Sequence, residues 1–114
     1  MTRLLLLAGA LALTTGLTTA QADVLRIAIV VADSPADYTN NVALVPTFGA
    51  LLRKGAGVKD VHVGIDPDHL TITSSSVWPD AAAIKSVTDT AEWKATVAKL
   101  KSKPFTPEVF QIVK

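Results

Sequence analysis

The stretch VLRIAIVVA, Val24 to Ala32, decides the fold. Its run of β-branched and aliphatic residues predicts a strand. Side chains alternate along a strand, so Leu25, Ile27, Ile29 and Val31 share one face. Val24, Ala28 and Val30 share the other, with Arg26 among them. Both faces are largely apolar, which predicts a strand covered on both sides.

C-terminal to this strand, Ser34-Pro35-Ala36-Asp37 has the chemistry of a helix start: a capping hydroxyl, a proline for the first turn and an acid three residues after the cap. Tyr38, Val42, Val45 and Leu52 fall on one helical stripe, with Leu44, Phe48 and Leu51 beside it. Pro46 predicts a kink in that helix, and Gly55 or Gly57 ends it. Val58 to Ile65 alternates as a strand, Asp66-Pro67-Asp68 is turn chemistry, and Leu70 to Trp78 is the returning strand. A four-residue loop at 66–69 would set Ile65 opposite Leu70 and Val63 opposite Ile72. The hairpin then has an apolar face (Val61, Val63, Ile65, Leu70, Ile72) and a polar one (Asp60, His62, Thr71, Thr73, Ser75). Pro79-Asp80 opens a helix from Ala81 to about Val87. Asp89 or Thr90 caps another over Ala91–Lys101, and Glu108–Val113 closes the chain as a strand.

The order β-α-β-β-α-α-β predicts an α+β fold, a ferredoxin-like sandwich with a four-stranded antiparallel sheet and helices on one face. Helices on one face leave the second apolar face of the first strand bare. A second copy of the same sheet is the simplest cover, which predicts a homodimer closed into a dimeric α/β barrel.

N-terminal to the deciding strand, residues 1–22 predict a secretory signal peptide: Arg3, the apolar run Leu4–Leu13, and Ala20-Gln21-Ala22 as an A-x-A cleavage site. The apolar run is about half of the ~20 residues a membrane-spanning helix needs, and threonines at 14, 15, 18 and 19 dilute the rest of the leader. The expectation is export, with the bacterial periplasm as destination, and a domain of residues 23–114 with no membrane contact after cleavage.

The whole chain has 114 residues, a net charge of +1, 49% hydrophobic residues and no cysteine. That length holds one domain besides the leader, and the apolar fraction excludes a disordered chain. Balanced charge argues against nucleic acid as a partner. Without cysteine there is no disulfide, no thiolate nucleophile and no Cys-type zinc site.

Particular segments resemble the dimeric α/β-barrel superfamily, in its antibiotic-biosynthesis-monooxygenase-like group. They are VLRIAIVV, LLRKGAGVKDVHV, SSSVWPDAAAIKSVTDTAEWKATV and PEVFQIVK, with Trp78-Pro79-Asp80 and the TAEWK helix start the most family-like. The resemblance spans nearly all of residues 23–114. It implies two sheets facing each other across a dimer and a pocket between sheet and helices in each subunit. Some members of the group oxidise quinols or aromatic polyketides with O₂ and no cofactor, others cleave haem, and many have no known activity. The chain departs from the haem-cleaving pattern. The first strand has no Asn, and the positions of the Trp and His fall near Ser86 or Val87 and near Thr96 or Val97. A His that many relatives carry about nine residues after the junction tryptophan is here Val87.

Several residues are candidates for chemistry. His62 is a candidate base toward a phenolic substrate, with Thr71, Thr73 and Ser75 on its face. The competing reading is a solvated or interface histidine, and in a barrel that face points at the partner sheet. His69 beside Asp66 and Asp68 lacks further ligands, so it reads as turn chemistry and no metal site is expected. Tyr38, Phe48, Trp78 and Trp93 suit the walls of a site for a flat apolar ligand, and equally a packed core. Ser74-Ser75-Ser76 has neither elbow glycines nor a His–Asp pair. Lys94, Lys99, Lys101 and Lys103 read as a solvated face. The functional expectation is a cofactor-independent monooxygenase-like protein acting on or binding a small flat apolar or phenolic compound. The alternative is a non-catalytic exported ligand-binding or stress-related protein on the same scaffold.

Overall fold

The computed structural model describes residues 22–113, so all of the expected leader 1–22 but its last residue lies outside the described residues, as does Lys114. The first strand, β1, spans Val24–Val31. Ser34 caps helix α1 (Pro35–Val42), its hydroxyl accepting from the Asp37 amide at 3.2 Å. The chain breaks at Ala43-Leu44 and resumes as α2 (Val45–Arg53). The expected kink at Pro46 is thus a full interruption. Proline has no N–H and its ring clashes with the carbonyl four residues back, so Pro46 sits in the first turn of a new helix. Gly57 then takes a left-handed φ of 73°, which glycine adopts without steric cost.

Strand β2 (Asp60–Asp66) and strand β3 (Thr71–Trp78) form the hairpin. Their register differs from the sequence expectation by two residues: Ile65 lies opposite Ile72 and Val63 opposite Ser74. The cause is local. Pro67–His69 forms a 3₁₀ turn and Leu70 adopts the left-handed conformation (φ 53°), so Leu70 belongs to the turn and pairing begins at Asp66–Thr71. A two-residue slide preserves the alternation, so the paired side chains keep their expected faces and only Leu70 leaves the apolar face expected for it.

Asp80 caps α3 (Ala81–Thr88) through the Ala83 amide, and Thr90 caps α4 (Ala91–Val97) through the Trp93 amide. Helix α4 stops at Val97, short of the expected Lys101, because Asn40 and Asn41 of α1 bond the backbone of Lys99 and Lys101. Strand β4 covers Glu108–Gln111.

The sheet order is β2-β3-β1-β4, and every pair is antiparallel. This is the ferredoxin-like α+β arrangement, with both crossover helices divided in two. Arg26, Ala28 and Val30 of β1 are buried on the helix side. The core centres on Leu52 and Trp78, both fully buried, with Ile84, Val87 and Trp93 around them. Among the described residues, the opposite sheet face carries no helix. There Leu25, Ile27 and Val31 are half-buried, while Ile29 (53%) and Phe110 (47%) are exposed.

Candidate functional site

Between the sheet and the helices lies a cavity of about 690 Å³. Its floor is the helix-facing side of the sheet: Arg26, Ala28 and Val30 of β1, Ile72 and Ser74 of β3. Phe48 and Leu52 of α2, Ile84 of α3 and Trp93 of α4 form apolar walls, and the segment from Leu100 to Pro107 closes one side. A largely apolar concavity of this size suits a small organic molecule.

The aromatic wall has a defined geometry. The rings of Phe48 and Trp93 meet edge to face, with centroids 5.1 Å apart and planes at 75°. Trp93 also meets Arg26, whose guanidinium carbon lies 5.3 Å from the indole centroid, within cation–π range. Arg26 is only 5% exposed, and its Nη1 has no hydrogen-bond partner among the described residues. Burial lowers its pKa from the ordinary arginine value. Lys103, the other cation on the lining, has its ammonium paired with Asp33. Among the described residues, neither an imidazole nor a carboxylate lines the cavity.

Asn41 is 1% exposed and shapes the rim. Its Nδ2 donates to the Lys101 carbonyl at 3.0 Å, and its Oδ1 accepts from the Lys101 amide at 2.9 Å. Asn40 donates to the Lys99 carbonyl at 3.0 Å. These bonds take the backbone that would otherwise have prolonged α4, and they turn residues 100–107 across the cavity.

Of the four aromatic residues proposed from sequence, Phe48 and Trp93 line the cavity and Tyr38 and Trp78 do not. Trp78 is sealed in the core, its Nε1 donating to the Ser76 hydroxyl at 2.7 Å. Tyr38 lies on α1, and its hydroxyl is buried without a partner among the described residues. His62 stands on the opposite sheet face, its side chain 73% exposed and its Nε2 3.0 Å from Asp60 Oδ1. The alternation of β2 sends it away from the cavity that Val63 lines, so it is not placed to act as a base there. His69 Nδ1 meets Asp66 Oδ2 at 2.8 Å within the turn, and the described residues hold no cluster of three or more metal-ligating side chains.

Sequence reasoning passes over Arg26 and Asn41. Arg26 carries a signal, as the one charge on an apolar strand face. Asn41 carries none, since its partner lies 60 residues away.

No family model matches the sequence, and no curated protein matches it. Solved structures do match. Rv0793 from Mycobacterium tuberculosis superposes with a TM-score of 0.70 at 14% identity, over 82% of this chain and 97% of that one. A candidate antibiotic biosynthesis monooxygenase from Caulobacter crescentus gives 0.70 at 14%, over 82% and 92%. SnoaB, a cofactor-independent oxygenase from Streptomyces nogalater, gives 0.64 at 14%, over 82% and 95%. The chain therefore shares its fold, a ferredoxin-like α+β sandwich, with proteins of the antibiotic-biosynthesis-monooxygenase type.

Proposed function

We propose that the protein binds a small, flat, apolar or phenolic compound in the helix–sheet cavity and oxidises it with O₂ without a cofactor. The observation that carries this reading is the cavity, with its Phe48–Trp93 wall and a lone guanidinium at its floor. The fold shared with a cofactor-independent oxygenase supports it. In such a monooxygenation one oxygen atom enters the product and the other leaves as water, the substrate supplying all four electrons. The described lining offers no side-chain base, so the substrate gives its proton to water as it ionises to an enolate or phenolate. Arg26 favours that ionised form, and the apolar walls keep water from it.

The bare sheet face, with Leu25, Ile27, Ile29 and Phe110, packs on the same face of a second copy. Residues 1–22 direct the protein to the periplasm.

An oxygen electrode and a panel of hydroquinones, naphthols and anthrones test the activity. O₂ uptake matched by one oxidised product per O₂ is the expected result. Quenching of tryptophan fluorescence by these compounds without O₂ uptake would replace the enzyme with a binding protein.

A further inference from the structure

Arg26 is a buried cation whose fork is left partly unused. We propose that Arg26 is an anion-recognition residue, and that the natural ligand is a flat aromatic monoanion whose carboxylate or enolate oxygen binds its guanidinium. This deepens the preceding reading and rests on the cavity being a ligand site.

Three observations carry the assignment. Arg26 is 5% exposed and lines the cavity, while its Nη1 is sealed without a partner among the described residues, so the protein leaves this guanidinium incompletely satisfied. Buried charged groups are ordinarily paired, and an arginine with no protein acid facing it leaves room for a charge-assisted pair with an acid from outside. The charge balance of the lining is also specific. Lys103 is neutralised by Asp33 and no acid among the described residues lines the cavity, so one positive charge is unanswered and one negative charge balances it. Finally, Trp93 covers one side of the guanidinium, and Phe48 stands edge-on to the same indole. An aromatic ring attached to the anionic group would lie against these apolar walls, which favours a flat ligand over a flexible acid.

The test compares an anion with its neutral counterpart of the same shape, 2-naphthoate against 2-naphthamide, binding the full-length protein by calorimetry. Wild type is expected to bind naphthoate about tenfold or more tightly than naphthamide, as a charge-assisted hydrogen bond requires. R26M, folded by circular dichroism, should bind the two within about threefold of each other, having lost the charged donor. R26K keeps the charge without the fork and should retain part of the preference. Equal binding of the two probes by wild type, or an undiminished preference in R26M, overturns the anion assignment while leaving the cavity as a ligand site. If neither probe binds, both this inference and the cavity reading fall. The wild-type comparison stands even if R26M does not fold.

Discussion

Asn41 holds Lys101 through both of its backbone groups, with distances of 3.0 Å to the carbonyl and 2.9 Å from the amide. The side-chain amide thereby replaces the backbone partner that a strand or helix would have supplied. One end of α1 is fixed to the segment that closes the cavity, and the Lys103 amide is tied in turn to the Val31 carbonyl at 2.9 Å. The rim is held from both the helix layer and the sheet.

Replacing Asn41 with Leu should therefore damage both stability and binding. Three hydrogen bonds go, two with Lys101 and one accepted from Asn40 Nδ2, and the Lys101 amide and carbonyl lose their partners beside an apolar side chain. At about 1 kcal/mol per bond plus the cost of unmet groups, a loss of about 2–4 kcal/mol is expected in chemical denaturation. Amide exchange at Leu100–Lys103 should rise more than in β1. Uniform exchange across the chain would show that the rim does not depend on this clamp.

Gly55 lies against Trp78 more closely than any other residue type permits. A Cβ there would stand 2.2 Å from Trp78 Cζ3 and 2.9 Å from Val87 Cγ2. Trp78 is fully buried and hydrogen-bonded to Ser76, so it has nowhere to move. Gly55→Ala should cost at least the ~1–3 kcal/mol typical of overpacking, read as a lower urea midpoint. An unchanged midpoint would mean that the tryptophan repacks freely.

Much of this architecture is legible from alternation and end signals. The two-faced β1, the Ser34 and Asp80 caps and the hairpin faces all come from local residue chemistry. What escapes is set by contacts far apart in sequence or by one unusual backbone angle. Leu70 in a left-handed conformation moves the hairpin register, and nothing about a leucine announces that. Pro46 marks a disturbance but not whether the helix bends or breaks. Trp78 ends a strand and is sealed in the core, whereas Trp93 on α4 borders both core and cavity, a difference the aromatic residue type does not announce. Alternation places Arg26 on one face with Ala28 and Val30 but cannot show that its charge meets no acid.

Arg26→Met should separate stability from binding. In the empty protein a buried guanidinium with an unmatched N–H costs about 1–3 kcal/mol, and the contact with Trp93 returns only part of that. Met fills similar space without charge, so the melting temperature of the unliganded variant should rise by a few degrees. The sign has no acid-side dependence. Burial lowers the arginine pKa, so its charge is penalised in the fold at every pH at which the unfolded chain holds the proton. The gain should therefore be the same at pH 5 and pH 8 in calorimetry. A lower melting temperature would show that the stacked guanidinium stabilises the empty fold.

Ile29→Lys tests the bare sheet face. Ile29 is 53% exposed in the single chain and lies in the middle of the apolar stripe that a second copy would cover. In a monomer, lysine at an exposed strand position changes stability by only a few tenths of a kcal/mol. In a dimer with facing sheets it sets two ammonium groups in an apolar seam, where desolvation outweighs any new contact. Analytical ultracentrifugation should therefore find wild type as a dimer and the variant as a folded monomer. Because Ile29 points away from the cavity, ligand affinity per chain should persist in that monomer. A wild-type monomer would end the barrel proposal. A variant that remains dimeric would move the interface to another surface.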